Sequence, residues 1–153
     1  MLNVKELFKF AIILEENSCA FFRQAVKITQ DEDAKVIFET LGDEELKHKK
    51  LFEAMHNQSH DLPLNEAEGD VSLLLHSTLS NIIPLPEQFQ AELEAIREVR
   101  GALKFGLQRE ADAMLYYGEL KSFIPAPLHR TLDGIIREEG RHYAKLTQLL
   151  QSS

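Results

Sequence analysis

With one cysteine, Cys19, the 153-residue sequence can build neither an internal disulfide nor a four-cysteine metal ribbon, and it suits a reducing compartment. It also lacks a long apolar run. The stretch from Phe10 to Leu14 stops at Glu15 and Glu16, too short for the hydrophobic segment of a secretion signal or for a membrane span. A soluble, cytoplasmic protein with no membrane partner is therefore expected. Basic charge is scarce as well: 17 Lys and Arg against 25 Asp and Glu leave a formal charge of -8, which disfavours a nucleic-acid partner. Helix breakers are few and unevenly placed. Pro63, Gly69, Pro84 and Pro86 all fall between residues 58 and 97, marking that stretch as a connection, with a short helix expected within Val71 to Ile82. The length is that of one domain, residues 1–153, able to bury roughly two thirds of its unfolded surface without staples.

What is present is a pattern that occurs twice. Glu15 is followed by Glu45-Leu46-Lys47-His48, and Glu110 by Glu139-Gly140-Arg141-His142. Neighbouring residues repeat with it: Lys9-Phe10-Ala11 and Phe21-Phe22 return as Lys104-Phe105-Gly106 and Tyr116-Tyr117. The offset is about 95 residues for the first segment of each half and about 94 for the second, the signature of an internal duplication.

Helical periodicity runs through both halves. Phe8, Ala11, Ile12, Cys19 and Phe22 share a helix face with Glu15; Phe38, Leu41, His48 and Phe52 share one with Glu45. Leu103, Gly106, Leu107, Met114 and Tyr117 do the same for Glu110, and Leu132, Ile135, Ile136, His142 and Leu146 for Glu139. Asn3 with Glu6 forms a capping box, Thr29 with Glu32 or else Asp31 opens the second helix, and Pro127 suits the first turn of the last. Helices are expected near 3–28, 31–57, 98–121 and 127–151, with a break near Arg97 to Gly101 rather than a third helix continuous from Pro86. Short turns make hairpins of 3–57 and 98–151. The crossover 58–97 is long enough to span the bundle, so an all-α four-helix bundle with up, down, down, up topology follows.

A carboxylate in an apolar stripe is costly unless something pairs with it. Glu and His three apart on a helix point the same way, so each Glu-x-x-His segment can give one metal ion both an oxygen and a nitrogen. Glu45 and Glu139 could then bridge two ions, with Glu15 and Glu110 each binding one. Mixed carboxylate and imidazole ligands suit two Fe ions, with Mn or Zn also acceptable. Glu53-x-x-His56 has no counterpart in the repeat, where Thr147 and Leu150 stand, and reads as a solvated pair. His60, His76 and His129 read as surface or local hydrogen-bonding residues, Cys19 and Met114 as core filling.

The chain resembles the rubrerythrin-type branch of the ferritin-like superfamily. The likeness rests on Glu15 with Phe21-Phe22, Glu44-Glu45-x-x-His48, Ala102-Leu103-x-x-Gly106-Leu107-x-x-Glu110 with Tyr117, and Glu138-Glu139-x-x-His142. It implies a non-haem di-iron centre that reacts with hydrogen peroxide or dioxygen, an oxidoreductase of the peroxidase or ferroxidase kind, with Tyr117 as a candidate catalytic residue. It further implies that Glu138 supports His48 and Glu44 supports His142. Phe22 stands where the family often has Tyr, and the four-cysteine iron domain of full-length rubrerythrins is missing here. A separate electron-donor protein is expected in its place, and a homodimer is an allowed assembly. A ferritin-like storage subunit and a non-catalytic metal-binding bundle are the alternative readings.

Overall fold

The computed structural model describes residues 3–59 and 86–152, so the short helix expected within Val71 to Ile82, together with His60 and His76, lies outside the described residues. Five α-helices are present among them: α1 (Val4–Ile28), α2 (Glu32–Gln58), α3 (Pro86–Ala95), α4 (Val99–Leu120) and α5 (His129–Gln151). Short 3-10 turns at Lys121–Phe123 and Ala126–Leu128 join the last two.

Local chemistry accounts for the helix ends. Asn3 and Glu6 close a reciprocal capping box, each side chain accepting from the other's backbone N–H at 3.0 Å. At the second start Asp31 is the cap, accepting from Asp33 N at 2.9 Å and Ala34 N at 3.3 Å. Thr29 serves the end of α1 instead, its hydroxyl donating to the Ala25 carbonyl at 2.6 Å. Glu98 takes the extended cap position of α4, as Asn3 does for α1, but without a side-chain hydrogen bond. Pro127 falls in the 3-10 turn before α5, so the last helix begins at His129 rather than at 127. The His129 ring donates from Nε2 to the Ile124 carbonyl at 2.9 Å and closes that corner.

The break expected near Arg97 lies at residues 96–98. The helix before it, α3, is an element of its own. Phe89 and Phe105 are 16 residues apart, which is about 24 Å along a continuous helix, yet their ring centroids are 5.9 Å apart. The chain must therefore fold back at the break, which brings Phe89 and Leu93 into the core.

Side-chain pairings fix the topology. Near the start of α1 Leu7 meets Tyr116 of α4, and near its end Phe21 meets Phe105, so these two helices are antiparallel. Phe8 with Phe52 and Phe22 with Phe38 make α1 and α2 antiparallel, and Lys121 with Asp133 closes the α4–α5 hairpin. The order is up, down, down, up for α1, α2, α4 and α5. Gly106 permits the closest approach in this arrangement: a Cβ there would lie 2.8 Å from the Phe21 ring and 3.2 Å from Leu146.

The buried apolar residues form two clusters. One gathers Val4 to Leu14, Phe52, Met55, Ala113 to Leu120, Leu132 and Ile135; the other gathers Phe21 to Ala25, Ala34 to Leu41, Ala102, Leu103 and Leu146. On every one of the four long helices the gap between the clusters is where Glu15, Glu45 with His48, Glu110, and Glu139 with His142 fall. A polar layer is thus enclosed between two hydrophobic ends.

Candidate metal centre

Each residue of that layer is delivered by the apolar stripe of its own helix. Burying the stripe drags the carboxylate or imidazole in with it: Glu15, Glu45, His48, Glu110, Glu139 and His142 are all at most 2% exposed. They form two overlapping groups. Glu15, Glu45, His48 and Glu139 offer one set of ligand atoms within 4.8 Å of one another; Glu45, Glu110, Glu139 and His142 offer the other. Glu45 and Glu139 belong to both, Glu15 and Glu110 to one each.

The two halves interlock across the bundle. His48 Nδ1 lies 2.6 Å from Glu139 Oε1, and His142 Nδ1 lies 2.6 Å from Glu45 Oε1. On the far side of each ring, His48 Nε2 meets Glu138 and His142 Nε2 meets Glu44, the latter at 2.6 Å. Glu44 and Glu138 stand about two-fifths exposed, so each imidazole links the buried layer to the surface. The rings of His48 and His142 stack with centroids 5.8 Å apart. Tyr117 is wholly buried and donates its hydroxyl to Glu15 Oε1 at 2.6 Å.

Charge is strained in this layer. Burial, and then repulsion from Glu139 and Glu45, raise the Glu15 and Glu110 carboxyls well above the ordinary range. Burial also pushes Glu45 up, but its close contacts with Glu15, His142 and His48 outweigh it and hold this carboxyl low. Burial alone would lower the histidines; instead hydrogen bonds and attraction to Glu139 and Glu45 push His48 up to about 11, and His142 rises for the same reasons. The His48 contact holds Glu138 below its usual value. Burial, with the charges of Glu15 and Glu139, raises the Tyr117 phenol far enough to keep it a hydrogen-bond donor at physiological pH.

Even so, the hydrogen-bonding ledger does not close. Glu15 Oε2, Glu45 Oε2, Glu110 Oε2 and Glu139 Oε2 are buried with no hydrogen-bond partner among the described residues. Interiors rarely leave such atoms unpaired, and four together on four facing helices fit cations. Oxygen-rich ligands with one imidazole per position match iron or manganese better than a thiolate site would.

The other sequence candidates lie elsewhere. Glu53 is exposed and pairs with Lys49 at 3.7 Å, not with His56, which is half-buried and 3.5 Å from Asn57. Cys19 is buried with Sγ 3.8 Å from the Gly42 carbonyl; Met114, its counterpart in the repeat, is half-buried. Burial raises the Cys19 thiol, which favours its protonated form. One contact was missed at the sequence level: the buried Tyr116 hydroxyl donates to the Leu7 carbonyl at 2.7 Å and ties α4 to α1. The only signal for it was the adjacent Tyr116-Tyr117 pair opposite Phe21-Phe22.

Comparisons with known proteins bear on the family and the fold. A model of the rubrerythrin family matches residues 6–150. Among solved structures, the chain is similar in fold to a Thermotoga maritima protein assigned as a ferritin-like diiron-carboxylate protein. The TM-score is 0.71 at 22% identity, covering 98% of this chain and 95% of that one. No curated protein matches.

Proposed function

The chain belongs to the rubrerythrin family, and from that premise we propose that it is a non-haem di-iron redox protein acting on hydrogen peroxide or dioxygen. The observation that carries this reading is the set of four buried, unpartnered carboxylate oxygens beside two imidazole Nδ1 atoms. Two iron ions, when bound, would supply the electrons that reduce peroxide or dioxygen. Electrons to restore them come from a donor outside these 153 residues, since Cys19 is the one cysteine of the sequence.

The residues divide the work. Glu138 and Glu44 accept from Nε2–H of His48 and His142, which fixes that tautomer and leaves Nδ1 free to bind a metal once its proton departs. Glu45 and Glu139 each belong to both positions and would help to hold both ions, while Glu15 and Glu110 would each help to hold one. Tyr117 holds Glu15 in place. The flanking apolar clusters keep bulk water away, so the charges of the layer act at low dielectric. At the surface end, the partly exposed Glu44 and Glu138 connect the imidazoles to solvent.

Anaerobic titration with Fe(II) followed by hydrogen peroxide tests the reading. Two Fe(II) per chain and a rapid ferric absorption on peroxide addition are expected, at a rate far above that of free Fe(II). Uptake of two Zn(II) with no response of the iron form to peroxide or dioxygen would reject it in favour of a structural metal. Size-exclusion chromatography tests the storage alternative, because a monomer or dimer cannot enclose a mineral core.

A further inference from the structure

The duplication gives the two metal positions the same ligand types, residue for residue. Glu15 and Glu110 correspond, as do Glu45 and Glu139, and His48 and His142, and each imidazole is backed by a glutamate from the opposite half. The phenol is not duplicated. Tyr117 donates to Glu15 Oε1 at 2.6 Å, whereas its counterpart, Phe22, has no hydroxyl to offer Glu110. The remaining tyrosines cannot substitute: Tyr116 is bonded to the Leu7 carbonyl and Tyr143 is exposed on α5.

We infer that the two metal positions are unequal, with the Glu15/His48 position binding more tightly because Tyr117 preorganises its terminal carboxylate. This rests on the di-iron reading above. The geometry gives the cause. With Oε1 engaged by the phenol, Glu15 presents Oε2 to the cluster, 3.8 Å from His48 Nδ1 and without another partner. The carboxylate is therefore already turned toward the ion, and binding need not freeze it. Glu110 has no such tether. His142 Nδ1 lies 3.7 Å from its Oε1, beyond hydrogen-bond length, and its Oε2 has no partner among the described residues. Without that bond the orientation of its carboxylate is set only when the ion enters, at a cost in affinity. Partners that orient a ligand in this way typically alter metal affinity by about 10- to 100-fold. Tyr117 is in this sense a positioning residue, and Phe22 the residue that withholds the same support from the other half.

Repulsion between two ions would separate the binding steps even at equal positions, so the test isolates each position. Chelator-stripped protein is titrated with Co(II), a redox-silent stand-in for Fe(II), and followed by its visible absorption. His142→Ala leaves the Glu15 position intact; His48→Ala leaves the Glu110 position. The His142→Ala protein should bind Co(II) about tenfold or more tightly than the His48→Ala protein. Adding the near-isosteric Tyr117→Phe should abolish that difference while leaving the affinity of His48→Ala unchanged. Phe22→Tyr in the His48→Ala background should tighten binding by a similar factor, since the added hydroxyl would offer Glu110 the hydrogen bond that Tyr117 gives Glu15. Equal affinities in the two histidine variants, or a Tyr117→Phe effect of the same size in both, would overturn the inference. Wild-type protein that takes up fewer than two Co(II) per chain would instead overturn the di-iron reading itself.

Discussion

Removing metal should make this protein lose stability as pH rises from mildly acidic to mildly alkaline. In the folded apo state His48 is raised from 6.5 to about 11 by Glu139 and Glu45. A histidine raised in this way contributes stability that is full below its unfolded value and is lost as pH climbs toward the folded one. Glu15 and Glu110, also raised, act in the same sense: above the ordinary carboxylate value they oppose folding more with each pH unit until they ionise. One pKa unit corresponds to about 1.4 kcal/mol, so His48 alone should cost about 2 kcal/mol between pH 6.5 and 8.5, both within its window. For a protein of this size that is roughly 4 to 8 °C of melting temperature. A bound cation replaces the Nδ1 proton and offsets the carboxylate charge, so the loaded protein should show a much flatter profile and a higher melting temperature at pH 8.5. Differential scanning calorimetry on chelator-stripped and Co(II)-loaded samples at pH 6.5, 7.5 and 8.5 provides the comparison. An apo melting temperature that stays level or rises across this range would refute the account of the buried charges. Loaded and stripped profiles that run in parallel would show that the layer is not where the metal binds.

Glu138→Gln should weaken Co(II) binding roughly tenfold or more by removing the charged acceptor behind His48, and Glu44→Gln should do the same behind His142; unchanged isotherms would mean that these glutamates only decorate the surface. Two glycine substitutions should move in opposite directions. Gly118→Ala, exposed on α4 with open space around its Cβ, should gain about 0.5 to 1 kcal/mol in urea denaturation from helix propensity. Gly106→Ala should lose about 1 kcal/mol net, because overpacking against Phe21 costs more than the propensity returns; a stabilised Gly106→Ala protein would contradict the packing described here. Asp31→Ala should cost about 1 kcal/mol in the same assay through loss of the α2 cap, whereas Thr29→Val should not disturb the start of that helix.

The sequence by itself determined which residues would lie inside and on what kind of element. Helical periodicity is a local property, and it put Glu15, Glu45, His48, Glu110, Glu139 and His142 on apolar faces before any contact was known. The duplication added the correspondence between halves, and Asn3 with Glu6 announced the first helix because a capping box is complete within one turn. Local signals were weaker at the other ends. Thr29 and Asp31 are both acceptable caps, and only the orientation of the chain leaving α1 assigned Asp31 to the helix start and Thr29 to the Ala25 carbonyl. Gly101 hinted at a break, but the fold-back of α3 depends on Phe89 finding Phe105, a contact that no periodicity encodes.

Pairing across the bundle belonged to the tertiary structure. One residue's step around a helix says that Glu44 and Glu138 point sideways; it does not say toward which neighbour. That choice follows from the rotation and register of four packed helices, set by contacts such as Phe21 against Gly106 and Tyr116 on Leu7. The same packing decided that Tyr117 reaches Glu15 across the bundle, and so made one substitution in the repeat, Phe22 for a phenol, a difference between two otherwise matched positions. Spacing fixes the face a side chain occupies, because a helix is rigid along its own axis. What lies opposite that face is decided by the fit of one surface against another.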